Sequence, residues 1–378
     1  MLNPDSVIYE IMSMTVGLAG KPNSGKSTFF KASTMADVEI ANYPFTTINA
    51  NRGVTYVRTD CPCRETDRVC GNCVDGIRFV PIEIIDVAGL VPDAHKGRGL
   101  GNAFLDELRQ AQAIIHVIDS SGGTDIEGNP VDIGSYDPLN DVDFLNHEIT
   151  MWMLGILKRN WDRLARKIQA EGLKIEVIIA EQLAGAGVDE IHVHDALMNC
   201  KLSQNHVTWS DEDMALLCDE IRRLSKPMII AANKADVAPR ENVDALTNLD
   251  MIAVPTSAAA EFALKSAAKS GLIKYYPGDQ DFEVLSDEMS EPQKKALDNL
   301  KAFLSTRGGT GIQECINRAV FDLLDLIVVY PVEDEGKWTD KNDRMLPDAF
   351  LMKRGSTAHD LAYRVHSDIG DKIGRAHV

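Results

Sequence analysis

The stretch "GKPNSGKS", residues 20–27, constrains the fold of this chain more than any other. It fits GxxxxGK[ST] and sits between a β-prone run, Val16 to Ala19, and a segment of helical character starting near Lys26. Strand, glycine-rich turn and helix in that order make a phosphate-binding loop. The glycines let the backbone curl so that successive N–H groups face phosphate oxygens. The helix adds its positive N-terminal end. Lys21, Pro22, Asn23, Ser24, Gly25, Lys26, Ser27 and Thr28 are therefore expected around a nucleotide, with Lys26 on the β and γ phosphates and the Ser27 hydroxyl on Mg²⁺. The expected fold class is α/β, a doubly wound and mostly parallel sheet.

Three further motifs select the nucleotide. "FVPIEIIDVAGL" (79–90) is an apolar strand ending in Asp86-Val87-Ala88-Gly89. A carboxylate there is placed to hold Mg²⁺ through water, and the Gly89 N–H to sense a γ-phosphate. "KPMIIAANKADV" (226–237) ends a second apolar strand on Asn233-Lys234-Ala235-Asp236. The Asp236 carboxylate can accept from both the N1–H and the N2 amino group of guanine, and adenine offers neither. Asn233 is expected to tie the base site to the phosphate loop, and the Lys234 stem to pack over the ring. In "AVPTSAAA" (253–260), a backbone N–H of Ser257-Ala258 is expected to meet the guanine O6. A mobile threonine that closes on the metal is expected in "ANYPFTTINANRG" (41–53), where Thr46 and Thr47 are equally eligible. Many guanine-nucleotide hydrolases place a water-orienting glutamine directly after DxxG; here that position is Leu90. The glycine-rich "HKGRGLGNAF" (95–104) reads as a hinge-rich loop, with His95 and Arg98 as further catalytic candidates.

The parallel-sheet pattern runs to "AIIHVIDS" (113–120) and then breaks, with roughly a hundred residues between Asp119 and the strand at 227. This insert opens with a Gly/Pro/Asp-rich loop (121–141). Val142, Leu145, Ile149, Met153, Ile156, Leu157, Leu164 and Ile168 then recur at helical spacing and predict one long amphipathic helix over 141–171. Shorter helices are expected near 176–199 and 211–225. The basic run Lys158, Arg159, Arg163, Arg166, Lys167 reads as a solvated face, with RNA contact as the sharper alternative. "GIQECINRAVFDLLDLI" (311–327) is expected as the closing helix of the nucleotide domain. The expected organisation is a nucleotide domain at 14–138 and 226–327, a helical insertion at 139–225, and a distinct module of short strands and one helix at 328–378.

The formal net charge of −18 argues against indiscriminate nucleic-acid binding. No apolar run reaches membrane-spanning length, and the first residues lack the pattern of a signal peptide, so the expected location is cytoplasmic. In a reducing compartment, closely spaced cysteines are more often metal ligands than disulfides. "CPCRETDRVCGNC" (61–73) gathers Cys61, Cys63, Cys70 and Cys73 between the strand-like "GVTYVRT" and "GIRFVPIEII". It is expected as a hairpin tip whose two tight turns bring four thiolates around one structural Zn²⁺. Free thiols or partial disulfides are the alternative.

Together, "GKPNSGKST", "NYPFTTINANRG", "DVAGLVPDAHKGRGLG" and "NKAD" resemble the Obg-related GTPases, in particular the YchF-like branch in its archaeal or eukaryotic form. The resemblance covers nearly the whole chain. It implies a P-loop GTPase fold, with Thr47 joining Ser27 as the second side-chain ligand of Mg²⁺, and chemistry centred on Lys26, Thr47 and Gly89. It also implies a ribosome or RNA partner. Residues 328–378 resemble a TGS domain, a small β-grasp fold, through Leu346-Pro347-Asp348-Ala349 and Gly355 to Asp360. The sequence stops at "IGRAHV" before the last strands of such a fold, so a truncated module is expected. YchF proteins proper replace the guanine-reading motif and tend to prefer ATP, whereas NKAD is intact here and points to GTP and GDP. The phosphate loop also looks like those of GTPases that recruit K⁺ through an asparagine at the position of Asn23, which implies slow, K⁺-stimulated hydrolysis; ordinary loop hydrogen bonding is the alternative. The functional expectation is a GTP-hydrolysing regulatory switch. The reading from another class is a nucleotide-gated RNA- or ribosome-binding module with negligible hydrolysis. An ATP-using metabolic enzyme is disfavoured by NKAD. Neither pathway nor oligomeric state is legible.

Overall fold

A computed structural model describes residues 14–35, 51–87, 89, 92–93, 107–286 and 289–374, together with the backbone of 47–49. Seven strands form one sheet: β1 (Thr15–Ala19), β2 (Thr47–Asn49), β3 (Arg52–Asp60), β4 (Ile77–Asp86), β5 (Ala113–Asp119), β6 (Met228–Asn233) and β7 (Ala253–Pro255). Their order is β2-β3-β4-β1-β5-β6-β7. β4, β1, β5, β6 and β7 run parallel, while β2 and β3 add an antiparallel edge.

The apolar strands are buried on both faces, and alternate residues serve different cores. Val16, Leu18, Ile84, Ile115 and Ile229 face a core shared with helix Lys26–Thr34 and helix Ile312–Arg318. Ala19, Ile85 and Ile114 face the opposite core, built with Leu145, Ile149, Met153 and Leu217 of the insertion. The sheet is therefore doubly wound, and the strand order reverses at β1. In such sheets ligands bind outside the carboxyl ends of the strands at that reversal.

The insertion departs from the expected single helix. Helix Leu139–Lys158 ends at Arg159, Asn160 leaves helical geometry with φ −131°, and a second helix runs Trp161–Glu171. The break lets Trp161 bury and stack on Trp209, with ring centroids 5.2 Å apart and planes 12° from parallel. The helices Ile175–Leu183, Glu190–Cys200 and Asp211–Ser225 follow. Lys158, Arg159, Arg163, Arg166 and Lys167 are all exposed, and Lys158 pairs with Asp211.

The expected closing helix over 311–327 is also shorter than read. Helix Ile312–Arg318 loosens into a π-turn at Ala319–Leu323, and the β-branched end of the run becomes a strand, Leu326–Val329. That strand pairs antiparallel with Phe350–Lys353, so tertiary pairing overrides the helical spacing. Two short helices follow, Ala358–Val365 and Ser367–Lys372. No helix among the described residues is long and apolar enough to cross a membrane.

Candidate nucleotide site

The motif residues converge at the carboxyl ends of the parallel strands, at the sheet's reversal. Gly20 follows β1 with φ +148°, where a Cβ would lie 2.4 Å from the Val117 carbonyl oxygen. Gly25 caps helix Lys26–Thr34 in the left-handed region, φ +98°, where a Cβ would lie 2.2 Å from Asn233 Nδ2. Both glycines are thus required by conformation and by space.

Lys26 is nearly buried, and its ammonium donates to the Lys21 carbonyl at 2.9 Å, curled within the loop where a phosphate would be cradled. Burial lowers its pKa, opposed by the Asp86 carboxylate. Asp86 ends β4, and Ser27 Oγ donates to its Oδ2 at 2.9 Å. Burial raises the Asp86 pKa, while Ser27 and Lys26 pull it back. A hydroxyl and a carboxylate already in contact supply the all-oxygen donor set that suits Mg²⁺. Gly89 lies against the same ammonium: a Cβ there would be 3.5 Å from Lys26 Nζ and 3.3 Å from Pro22 Cγ. Thr47 opens β2, its backbone paired with Gly53. Thr46, Leu90, His95 and Arg98 lie outside the described residues.

Two loop residues act differently from the sequence reading. The Lys21 side chain does not reach toward the phosphate cradle. It is 1 % exposed and pairs with Asp141 Oδ2 at 3.0 Å, donates to the Thr124 carbonyl at 2.8 Å, and lies 3.9 Å from the Tyr136 ring centroid. Only its backbone faces Lys26. Pro22 has no N–H to offer a phosphate; its role is packing, against Gly89 and against Gly128 of the insertion's opening loop. Asn23, at φ +61°, donates from Nδ2 to the Gly128 carbonyl at 3.0 Å, which is the loop hydrogen bond weighed above against K⁺ recruitment.

On the base side, Asn233 ends β6 and bridges two loops. Its Nδ2 donates to the Ser24 carbonyl at 2.9 Å, and its Oδ1 accepts from the Ala258 N–H at 3.0 Å. Lys234, at φ +61°, holds its ammonium 2.8 Å from Asp119 Oδ2. Asp236 is exposed and has no hydrogen-bond or ion-pair partner among the described residues. The expectation for Ser257-Ala258 needs correction. The Ser257 N–H donates to the Thr310 carbonyl at 2.9 Å and the Ala258 N–H is committed to Asn233, so neither is a free donor for O6. The Ser257 hydroxyl caps helix Ala258–Lys269 by accepting from the Ala260 N–H.

The sequence reading missed Asp119, Asp141 and Glu148. Asp119 is fully buried at the end of β5 and accepts from Ser121, Thr124 and Lys234. Glu148, on helix Leu139–Lys158, accepts from the Asp93 N–H at 2.9 Å, just beyond the DxxG turn. The signal for Asp119 was an acid at a strand end followed by a Ser/Gly/Thr turn. Asp141 and Glu148 had no signal beyond an acid in an amphipathic helix.

The four cysteines stand at the tip of the β3–β4 hairpin, whose register runs from Arg52↔Ile85 to Asp60↔Ile77. Their sulfurs all lie within 4.8 Å of one another.

Comparison with known proteins agrees with this geometry. A model of the 50S ribosome-binding GTPase family matches residues 15–146, and one of the Obg-like GTPase YGR210-like, G4 motif-containing domain matches residues 231–334. An uncharacterized GTP-binding protein of Methanocaldococcus jannaschii is 52 % identical over 95 % of this chain and 91 % of its own. The crystal structure of a GTP binding protein from Pyrococcus horikoshii shares 42 % identity over 95 % of this chain and 91 % of its own, with a TM-score of 0.73. The ribosome-binding ATPase YchF of Bacillus subtilis is 32 % identical over 61 % of each chain.

Proposed function

Since this chain belongs to the Obg-like, YchF-type family of P-loop GTPases, we propose that it is a guanine-specific switch that binds GTP and GDP and hydrolyses GTP slowly. One observation carries the base preference: an exposed Asp236 carboxylate with no partner among the described residues, beside an Asn233 that already bolts the base-side loops to the phosphate loop. An acceptor-only carboxylate suits the two adjacent donors of guanine and repels the acceptor N1 of adenine.

When bound, Mg²⁺ supplies charge neutralisation for the phosphates, with Ser27, Thr47 and, through water, Asp86 as its proposed protein-side contacts. Lys26 is proposed to leave the Lys21 carbonyl for the β and γ phosphates, and the Gly89 N–H to sense the γ-phosphate. The backbone of Lys21, Asn23, Ser24, Gly25 and Thr28 lines the cradle in this reading. K⁺ at Asn23 remains a proposal that the Gly128 hydrogen bond does not favour. Cys61, Cys63, Cys70 and Cys73 are proposed to hold a structural Zn²⁺.

The ribosome is the proposed partner, supported by the name of the Bacillus subtilis relative, a ribosome-binding ATPase, and by the match to the ribosome-binding GTPase family. Residues 328–378 are proposed as a TGS-like module. Phosphate release from GTP and from ATP, in K⁺ and in Na⁺, with and without ribosomes, tests the reading. Slow GTP turnover raised by ribosomes supports it. GTP binding with no turnover under any of these conditions favours the binding-module alternative.

A further inference from the structure

The apolar cluster around the cysteine knuckle continues beyond the hairpin. Cys61, Cys63 and Cys70 are buried with Met345 and Leu346, and Cys73, Tyr330, Val332 and Trp338 pack against them. More than half of this cluster belongs to the segment between the strands Leu326–Val329 and Phe350–Lys353. We infer that the knuckle is a metal-dependent clamp that anchors residues 330–347 to the β3–β4 hairpin. The inference rests on the reading of the four cysteines as Zn²⁺ ligands.

The sulfur geometry suits that ion. Cys61 Sγ is 3.7 Å from Cys70 Sγ, and Cys63 Sγ is 3.5 Å from Cys73 Sγ. Four thiolates at about 2.3 Å from a tetrahedral zinc stand about 3.8 Å apart, whereas a disulfide requires about 2.0 Å. The two turns that carry them are set locally. Cys61 opens the turn Pro62–Glu65. Gly71, at φ +72° with open space where a Cβ would be, turns the CGNC half. The Asn72 N–H donates to Cys70 Sγ at 3.4 Å.

The segment on the other side forms no helix or strand of its own. Between its flanking strands it holds two isolated bridges, Asp334↔Thr339 and Thr339↔Met345, and turns closed on the Asp334 and Asp340 carboxylates. Trp338 and Leu346 sit at positive φ (58° and 43°), which side chains of this size hold only where packing enforces it. That packing is against the knuckle, reinforced by Arg78 Nη2 donating to the Pro347 carbonyl at 3.2 Å and Asn72 Nδ2 to the Leu346 carbonyl at 3.4 Å. The Arg78 guanidinium lies over the Tyr330 ring at 5.8 Å. A metal that welds the two turns therefore holds the floor on which the segment rests. Without it the loop 61–76 has one 3₁₀ turn and the mouth of a hairpin to hold its shape.

The test uses the full chain purified without chelator. Zinc content is measured, and amide hydrogen exchange over 330–347 is followed before chelation, after it, and after zinc is returned. The clamp predicts about one zinc per chain and exchange in that segment at least roughly tenfold faster after chelation. Return of zinc restores protection, and helix Leu139–Lys158 stays protected throughout. Trp338→Ala is expected to retain zinc while loosening the segment. Bound zinc whose removal leaves the segment's exchange unchanged overturns the clamp and leaves the metal reading standing. Absence of zinc overturns both. Loss of protection in helix Leu139–Lys158 as well would make the metal a global determinant and overturn the local clamp.

Discussion

The Lys21 ammonium and the Asp141 carboxylate lie 3.0 Å apart with 1 % and 2 % of their side chains exposed, joining the phosphate loop to the first turn of the helical insertion. Tyr136 donates its hydroxyl to Asp141 Oδ1 at 3.0 Å, so the pair is embedded in a larger polar contact. A second tie, Glu148 to the Asp93 N–H, fastens the same helix beside the DxxG turn. Changes at either nucleotide loop therefore bear directly on one helix.

Breaking the buried pair should be costly. Asp141→Ala leaves the Lys21 ammonium uncompensated and is expected to destabilise the fold by about 3–5 kcal/mol. The double variant Lys21→Met with Asp141→Leu should recover most of that loss. Urea unfolding of the two proteins checks both expectations.

Gly25→Ala puts a methyl carbon where Asn233 Nδ2 now stands and requires φ near +98°. The expected outcome is a strain of roughly 1–3 kcal/mol and the loss of the Asn233 bridge to Ser24. Guanine-nucleotide affinity, measured by equilibrium titration, should fall at least tenfold, by roughly 1.4 kcal/mol or more.

Ser27→Ala removes the hydroxyl that donates to Asp86 and is proposed to contact Mg²⁺. The fold should tolerate the change, because Ser27 is exposed. GTP affinity should lose most of its dependence on Mg²⁺. Titrations with and without the metal read that difference.

His116 is buried in β5, and burial, with Lys26 and Lys21 adding to it, depresses its pKa from 6.5 to about 3. The unfolded chain takes a proton below pH 6.5 that the folded chain refuses until near pH 3. Stability from this group is therefore complete above 6.5 and is lost as pH falls toward 3, at up to about 1.4 kcal/mol per pH unit. Urea unfolding of the parent and of His116→Gln between pH 7 and 4 should show a shallower acid loss in the variant.

Much of this is legible in the sequence. The phosphate loop, DxxG and NKxD are local patterns in which residue type and spacing dictate backbone shape, and they land at neighbouring strand ends. The cysteine hairpin was legible because two β-type runs flank it. The helix break at Arg159-Asn160 was not, since spacing over 141–171 is compatible with one helix and the stacking of Trp161 on Trp209 is a long-range contact. The Lys21 orientation was equally hidden, because its partner lies in a helix more than a hundred residues away. Likewise the Ser257 N–H is taken by Thr310, which only the fold brings near.

The central claim is that Asp236 reads guanine, and competitive displacement of a fluorescent GDP by GTP, ATP and xanthosine triphosphate tests it most directly. The parent chain should bind GTP at least roughly a hundredfold more tightly than ATP. In Asp236→Asn, which presents an amide donor where the carboxylate accepted, GTP affinity should collapse and xanthosine triphosphate should bind more tightly than GTP. Equal or tighter binding of ATP by the parent chain, or an Asp236→Asn protein that still prefers GTP, would contradict the account.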